Sequence, residues 1–320
     1  MQVPDSIKTK LKEIFQTPPG FRPGKNLNIL IQTNTNRLPA HAKGEILSGT
    51  FTPTAEASKI SKAPHFNNTS TPIWARFSNS TGLPAIPDTD GNADPRGMAV
   101  RFILGDHIHT DVIGHSTPFF PVNKGEDFLA LLQAISTSPP DAPHPTPIET
   151  FLGSHPAALA FVSAPKPAPI SYGTEQYWGI NAYKLIAEDG KETFIRYQFI
   201  PDAGVSTFTA DEVKDKDPNF LHQELEERLS KGAIGFKLVA QVAAEGDQVN
   251  DATVHWPEDR PIVELGSLKL EKVLEDSAKV AKVTIFDPIP RVSGVEASED
   301  PLLEMRAALY LISGKERRAA

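Results

Sequence analysis

Short runs of β-prone residues, broken by proline, glycine and small polar residues, form the main pattern of this sequence from Gly44 to Leu104. These runs predict three strands, at Ile46–Thr52, Ile73–Phe77 and Met98–Leu104. A second series alternates apolar and polar residues around a Glu-Asp-Gly turn, which predicts a β-hairpin over Tyr177–Ile200. Two further strands are predicted, at Phe236–Ala243 and near Val280–Phe286.

Helical periodicity interrupts these strands. Apolar side chains recur on one face of Gly125–Ile135 and of Asp211–Leu229, and a short amphipathic helix is predicted within the first 24 residues. The proline-dense segment Pro139–Pro169 is predicted to cross the sheet as ordered, extended chain. Many strands with few helices between them favour an α+β fold: a closed antiparallel β-barrel with helical insertions, in one domain over residues 1–320.

The last helix carries an unusual stripe. It is predicted to begin with Ser298 as its N-cap. Steps of three, four and seven residues then place one set of side chains on a single face: Leu303, Arg306, Tyr310 and Arg317. A positive charge one turn away favours the phenolate form of a tyrosine, and a phenolate can bind ferric haem iron. The alternative is a tyrosine lying along the surface among solvated arginines.

Composition narrows the class of protein. Hydrophobic residues make up 39% and charged residues 22%, which is ordinary for a soluble globular protein. The net charge of −8 argues against nucleic acid or an anionic membrane surface as a partner. The sequence has no cysteine, which excludes disulfides and thiolate chemistry. Without an apolar signal segment or a membrane-spanning run, a cytoplasmic location is expected.

Four segments in the first third carry candidate chemistry: His41-Ala-Lys-Gly44, Trp74-Ala-Arg76-Phe-Ser78, Asp94-Pro-Arg-Gly-Met-Ala-Val-Arg-Phe102 and Asp111-Val-Ile-Gly-His115-Ser-Thr-Pro118-Phe-Phe120. Each also has a purely structural interpretation. A histidine at a strand entrance is usually structural, and Asp-Pro-Arg-Gly is compatible with a plain turn. A metal cluster of His107, His109 and His115 is the weakest alternative, because alternate strand positions commonly carry solvated histidines.

Taken together, these segments resemble the haem catalase family in order and spacing. The family's His-Ala-Lys-Gly and Arg-Phe-Ser motifs match His41–Gly44 and Arg76–Ser78, and its Asp-Pro-Arg-Gly motif begins at Asp94. Its haem-ligand motif, Arg-x-x-x-Tyr, matches Arg306–Tyr310. Because the sequence ends soon after this motif, it resembles the small branch, the catalase-related peroxidases, and is expected to lack the C-terminal helical domain of full-length catalases.

The sequence departs from the family pattern at several positions. His115 stands where the family has an asparagine that steadies peroxide; an imidazole is bulkier and can change charge near neutral pH. Ser80 stands where the family has a valine that narrows the channel leading to the haem. Pro121 stands where the family has the second phenylalanine of a pair on the peroxide side of the haem. Leu38 stands where the family has an arginine that binds a haem propionate. The neighbouring Arg37 is the candidate substitute for that arginine.

On the peroxide side, the resemblance implies that His41 transfers protons, that Ser78 orients His41 and that His115 contacts peroxide. Phe120 would line this side of the haem, and Asp94 would be the channel carboxylate. On the opposite side, Tyr310 would be the iron ligand and Arg306 would keep it anionic. Two further arginines, Arg76 and Arg317, would neutralise the propionates, and Phe128 would pack on the porphyrin.

The resemblance therefore implies a haem b peroxidase that reduces H2O2 or organic hydroperoxides with a small organic reductant and keeps weak or residual catalase activity. One alternative is an enzyme that rearranges hydroperoxides, similar to allene oxide synthases. The other is a non-catalytic haem-binding protein, which would have no need of His41 and Ser78. The implied partners are peroxide and the reductant, with no nucleic acid and no membrane, and a homodimer is compatible with the resemblance.

Overall fold

Ten strands form one antiparallel sheet in a computed structural model that describes residues 41–139 and 143–319. Their bounds are β1 Gly44–Pro53, β2 Thr71–Ser78, β3 Gly97–Gly105, β4 Ile108–His115, β5 Tyr177–Trp178, β6 Tyr183–Ile186, β7 Glu192–Pro201, β8 Ile234–Val242, β9 Ile262–Val273 and β10 Val295–Ala297. Eight of them close into a barrel in the order β1-β2-β3-β4-β5-β7-β8-β9, with β9 pairing back to β1. The remaining two, β6 and β10, extend the sheet beside β7.

Aromatic side chains fill the interior of the barrel. Five fully buried phenylalanines from different strands share one apolar cluster with Tyr177 and Tyr197: Phe51, Phe77, Phe102, Phe199 and Phe236. An eight-stranded barrel is just wide enough for its interior to be filled by side chains. Because strand residues alternate between faces, the neighbours of these core residues point outward, where polar groups can form a site.

The helices surround the barrel. They are α1 Ala55–Ile60, α2 Pro64–Asn67, α3 Gly125–Ser136, α4 Pro147–Ser154, α5 Pro156–Ser163, α6 Ala210–Lys214, α7 Phe220–Lys231, α8 Ser277–Val283 and α9 Pro301–Ala319. Helix α3 packs on α9, with Phe128 and Leu129 in one apolar cluster with Leu302 and Met305. Within the two described ranges, no helix is both long and apolar enough to span a bilayer.

The predicted barrel and most predicted strands are confirmed, whereas β4, β9 and β10 were not anticipated. The strand predicted near Val280–Phe286 is wrong, because Ser277–Val283 is helical and Val283 is more than half exposed. The single helix predicted over Asp211–Leu229 is two helices, α6 and α7, separated by a break that contains Pro218.

Two further predictions need correction. The segment predicted as extended, Pro139–Pro169, contains helices α4 and α5, each of which begins with a proline at its first position. The N-cap of α9 is Asp300, whose Oδ1 accepts the N–H of Leu302 at 2.9 Å, and Ser298 instead accepts the N–H of Asp300. The N-terminal helix, Arg37 and Leu38 lie outside the described residues, and one domain over 1–320 stays a prediction.

Candidate active site

One row of residues crosses the first four barrel strands and continues onto β5. Cα pairing joins Gly44 to Ser78, Ser78 to Gly97, Gly97 to His115 and His115 to Trp178. Directly opposed residues of antiparallel strands share a face. Phe77, which precedes Ser78, and Met98, which follows Gly97, lie in the barrel core, so this row faces outward. The register therefore brings two predicted site residues, Ser78 and His115, to one patch.

His41 lies over this row, just before β1. Its backbone adopts a positive φ of 56°, and its N–H donates to the carbonyl oxygen of Ser80 at 3.0 Å. Its Nδ1 lies 3.1 Å from Ser78 Oγ. A Cβ on Gly97 would come within 2.8 Å of Ser78 Oγ and 2.9 Å of His41 Nδ1, so the absence of a side chain there makes room for this hydrogen bond.

His115 stands beside His41. The two imidazoles stack with centroids 5.5 Å apart and planes 29° apart, and the ring of Phe120 lies 6.1 Å from that of His115. The Nδ1 atom of His115 is buried without a hydrogen-bond partner among the described residues. The patch thus holds two imidazoles side by side, with one buried nitrogen still available.

Both imidazoles are neutral near pH 7. Although part of the His41 side chain stays accessible, burial among packed atoms lowers its pKa to about 3, and the charges of Arg76 and Arg306 add to this effect. Burial likewise lowers the pKa of His115 well below its usual range, with His41 and Arg306 contributing. The expected change of charge near neutral pH at His115 is therefore wrong: its surroundings keep it uncharged.

Arg76 supports the backbone beneath His41. It shares the outward face of β2 with Ser78, and its Nη2 donates to the carbonyl oxygens of His41 at 2.8 Å and of Ala42 at 3.3 Å. Its Nε is buried without a partner among the described residues. Burial and the nearby charge of Arg317 lower the pKa of Arg76 to about 10, which leaves it protonated at neutral pH.

Helix α9 provides the stripe that the sequence predicts. Leu303, Arg306 and Arg317 are buried and Tyr310 is half-buried. Arg306 Nε donates to the phenolic oxygen of Tyr310 at 3.3 Å, as the four-residue spacing predicts. Burial opposes the charge of Arg306, but Tyr310, Tyr183 and Asp300 outweigh it and raise the pKa of the guanidinium.

Two residues that hold Arg306 were not predicted from the sequence. Asn181, in the turn before β6, accepts a hydrogen bond from Arg306 Nη1 through its side-chain oxygen and donates to Asp300 Oδ2 at 2.8 Å. A chain therefore runs from Asp300 through Asn181 and Arg306 to Tyr310. Asp300 could have been recognised as a polar residue just before a helical proline; nothing in the sequence marks Asn181.

Arg317 is anchored by the chain that leads into α9. Its nitrogens donate to the carbonyl oxygens of Lys282 at 3.2 Å and Thr284 at 2.8 Å, and to Ser313 Oγ at 2.8 Å. A Cβ on Gly314 would lie 2.2 Å from Ile285, so this glycine allows the segment to approach the helix. Burial lowers the pKa of Arg317 to about 10.

The strand patch and the helix stripe act on one another through their charges. The charge of Arg306 depresses the pKa of both His41 and His115, and the charge of Arg317 depresses that of Arg76. Residues from the two ends of the described chain therefore face a common region. Within residues 41–139 and 143–319, neither Arg76 nor Arg317 forms an ion pair with a carboxylate.

Comparison with known proteins identifies this arrangement. The catalase family profile matches residues 27–319. The chain belongs to the catalase family. A catalase-related peroxidase of Mycolicibacterium paratuberculosis is 35% identical over 280 residues, covering 87% of this chain and 88% of the relative. One from Synechococcus elongatus is 31% identical over 288 residues, covering 89% and 84%.

The fold agrees with this assignment. The structure of catalase A from Saccharomyces cerevisiae superposes with a TM-score of 0.77 at 23% sequence identity. The match covers 89% of this chain and 62% of the yeast chain. The shared region is the barrel with its surrounding helices, and at this identity the comparison supports the architecture alone.

Membership of the catalase family implies a haem cofactor, and the residues present fit one. Two buried guanidinium nitrogens, Arg76 Nε and Arg306 Nη2, have no partner among the described residues. The charge of Arg317 disfavours that of Arg76, and both arginines would be stabilised by anions such as propionates. Half-buried Phe120 and Phe128, 5.7 Å apart, supply apolar rings between the strand patch and α9.

Asp94, the predicted channel carboxylate, interacts with two other charged residues, Arg96 and Glu175. Asp94 forms an ion pair with buried Arg96 at 2.9 Å, and burial raises the pKa of Asp94 to about 6. Glu175, which the sequence analysis missed, interacts electrostatically with Asp94, and burial raises its pKa to about 7. Across residues 41–139 and 143–319, no three histidines or acids come together to bind a metal ion, and His107 is almost fully exposed.

Proposed function

We propose that this catalase-family protein binds haem b and reduces H2O2 or small organic hydroperoxides with a small organic reductant, while retaining weak catalase activity. The observation that carries the proposal is the hydrogen bond of 3.1 Å between Ser78 Oγ and His41 Nδ1, beside a second neutral imidazole and opposite Arg306. The names of the similar catalase-related peroxidases support a peroxidase reaction.

In the proposed site, bound haem supplies a ferric iron at which the O–O bond of a peroxide can be broken. The residues of α9 would hold it: Tyr310 would be the iron ligand, and Arg306 would keep the phenolic oxygen anionic through the contact at 3.3 Å. Asn181 and Asp300 fix the position of the Arg306 guanidinium. Arg76 and Arg317 would neutralise the propionates.

His41 would move the proton. Its Nδ1 is engaged by Ser78, which would leave Nε2 to accept a proton from one oxygen of the peroxide and to return it to the other oxygen. Because its pKa is about 3, His41 begins neutral and holds an added proton only weakly. Such a base suits a proton that must be passed on at once.

His115 favours peroxidase over catalase turnover in this proposal. Catalase turnover needs a second H2O2 beside His41, and the imidazole of His115, 5.5 Å away, occupies part of that space. A reductant that donates electrons from outside the space around His41 and His115 does not need room beside His41. The names of the relatives give no support to the two alternatives, a hydroperoxide-rearranging enzyme and a haem-binding protein without activity.

The absorbance spectrum of the haem-loaded protein, recorded as H2O2 is added, tests the proposal. A peroxidase should change its Soret band rapidly and return to the starting spectrum when a phenolic dye is supplied. An unchanged band would contradict the proposal in favour of simple haem binding. Turnover of lipid hydroperoxides without oxidation of the dye would favour rearrangement.

Replacement of the proposed ligand gives the second test. Tyr310→Phe should weaken haem binding by more than about 100-fold, because the apolar ring cannot ligate iron. The matched control is Tyr197→Phe, which changes a buried tyrosine of the barrel core. Haem titration followed by the Soret band measures both. If Tyr310→Phe binds haem as tightly as Tyr197→Phe, Tyr310 is not the ligand.

A further inference from the structure

An unbroken series of ring contacts leads from His41 to the surface of the protein. Each step joins neighbouring rings with centroids between 5.5 and 6.4 Å apart, in the order His41, His115, Phe120, Phe161, Phe119 and His255. The first two rings belong to the proposed site and the last is exposed. The series therefore links the proton-transfer residue to solvent through apolar aromatic groups.

The outer end of this series is an open aromatic surface. Phe119 and Phe161 are only half-buried, with ring centroids 6.0 Å apart in an edge-to-face arrangement. Large apolar residues in the same segments are also exposed: Leu159 at 47%, Val162 at 48% and Val254 at 36%. A group of exposed apolar side chains is a common mark of a binding surface.

Lys166 adds a positive charge to this surface. Its Nζ lies 4.7 Å from the ring centroid of Phe161 and donates to the carbonyl oxygens of Phe161 and Ala164. These two acceptors fix the ammonium group beside the ring and use two of its three N–H groups. Burial lowers the pKa of Lys166, and Asp94 acts in the opposite direction.

The other charged groups near Lys166 do not cancel its charge. Asp94 is paired with Arg96 at 2.9 Å. Among the described residues, Lys166 forms no ion pair of its own. On a protein with a net charge of −8, it offers an anionic group a cation that is not already paired.

We propose that Phe119, Phe161 and Lys166 form a binding subsite for an aromatic reductant that carries an anionic group, such as a phenolic acid. The aromatic ring would contact the two phenylalanines and the anion would face Lys166 Nζ. The inference rests on the proposed peroxidase function, which requires a reductant. It adds the chemical class of that reductant and the place where it binds, outside the crowded His41–His115 pair.

The test is direct binding of 4-hydroxybenzoate to the haem-loaded protein without peroxide, followed by saturation-transfer NMR. Phe161→Leu should raise the dissociation constant about five- to tenfold, since an aromatic contact is lost. Lys166→Met should raise it about threefold for 4-hydroxybenzoate and leave neutral 4-methylphenol unchanged. Both variants should retain the wild-type Soret spectrum, which shows that they are folded and loaded.

A matched control exists elsewhere on the surface. Phe208 carries the same kind of contact, with Lys216 Nζ 4.3 Å from its ring centroid, so Phe208→Leu and Lys216→Met should leave binding unchanged. If Phe161→Leu and Lys166→Met bind 4-hydroxybenzoate as the wild type does, the subsite is wrong. If the wild type binds the probe but its Soret band never responds to peroxide, the proposed function fails while the subsite stands.

Discussion

The strand side and the helix side of the site differ in how they are built and in their charge. His41, Ser78 and His115 lie on or beside adjacent strands, and their positions follow from one row of the barrel register. Arg306, Tyr310 and Arg317 lie on α9 and are held by groups from distant parts of the chain, such as Asn181 and Thr284. The imidazoles of the strand side are neutral, with Arg76 as the one charged arginine described beside them, and the helix side is cationic.

This difference separates two tasks. An anionic iron ligand and propionates require permanent positive charge, which arginine supplies because it stays protonated even where burial lowers its pKa to about 10. Proton transfer requires a group that can change its protonation state, and a histidine buried without a carboxylate partner begins in the neutral form. Mutations on the strand side should therefore lower the rate of the peroxide reaction, whereas mutations on the helix side should lower haem affinity.

The largest expected effect is on the strand side. His41→Ala should slow the reaction with H2O2 by about 10²- to 10⁴-fold, because the proton acceptor is lost, without changing haem affinity. Stopped-flow mixing and haem titration measure the two properties separately. His107→Ala, at an exposed histidine, is the control and should react as the wild type does. A wild-type rate in His41→Ala would remove this residue from the mechanism.

The second effect is on the helix side, at a residue that does not face the peroxide. Asn181→Leu should lower haem affinity about 10- to 100-fold, since it leaves Arg306 and Asp300 without their shared partner. The rate of the peroxide reaction per bound haem should change less than the affinity does.

The matched control is Asn123→Leu, which breaks a similar amide–carboxylate bond of 2.8 Å, to Asp251, and leaves the hydrogen bonds of Asn181 and Arg306 intact. Asn123→Leu loses one hydrogen bond and Asn181→Leu loses two, so the free energy of unfolding of both variants is measured beside their haem affinity. Equal haem affinities in the two variants would show that the chain from Asp300 to Tyr310 does not position the ligand.

The strand side and the helix side also differ in how much of each could be predicted from the sequence. Short-range spacing was enough for the Arg306–Tyr310 contact, because i and i+4 residues meet on any helix. The motifs also identified His41 and Ser78, but the contact between them depends on Gly97, the residue that pairs with Ser78 on the neighbouring strand β3. Asn181 could not be found, because its role arises only when the turn before β6 meets α9.

The errors in the fold have a similar origin. Val280–Phe286 contains the β-branched and apolar residues of a strand, but no neighbouring strand pairs with it among the described residues, and Ser277–Val283 is a helix. Tertiary pairing, rather than local preference, decides this case. The strand β9 differs, because its buried residues alternate with charged ones such as Glu264 and Lys269: the pattern of a half-buried strand was present in the sequence and was overlooked.

The third prediction concerns acid. His65 in α2 is buried among Phe66 and Phe102, and burial lowers its pKa from 6.5 to about 3. It shares this neutral state with His41 and His115. Between pH 6.5 and about pH 3, the unfolded chain binds a proton at this histidine that the folded protein does not bind. The free energy of unfolding should therefore fall as the pH decreases, by about 1.4 kcal/mol per pH unit for each such histidine.

Urea unfolding between pH 7.5 and pH 4.5 measures this slope. His65→Phe should remove one histidine's share of it, and His107→Phe, at an exposed position, should leave it unchanged. An unaltered slope in His65→Phe would mean that this imidazole does not stay neutral in the fold. The arginines of α9 should contribute nothing in this range, because they are protonated throughout.

The smallest expected effect tests the proposed role of His115. Its ring lies between His41 and Phe120, and burial keeps it neutral, so it acts through its size and its unpartnered Nδ1 rather than through charge. His115→Asn keeps a polar side chain but makes it smaller, which should admit a second H2O2 and raise O2 evolution about two- to fivefold, equivalent to less than about 1 kcal/mol. Dye oxidation should stay the same or fall, and haem affinity should not change.

An oxygen electrode and a dye assay on the same preparation give both rates. If His115→Asn evolves no more O2 than the wild type, crowding by this ring does not limit catalase turnover, and Ser80 at the channel becomes the next residue to replace.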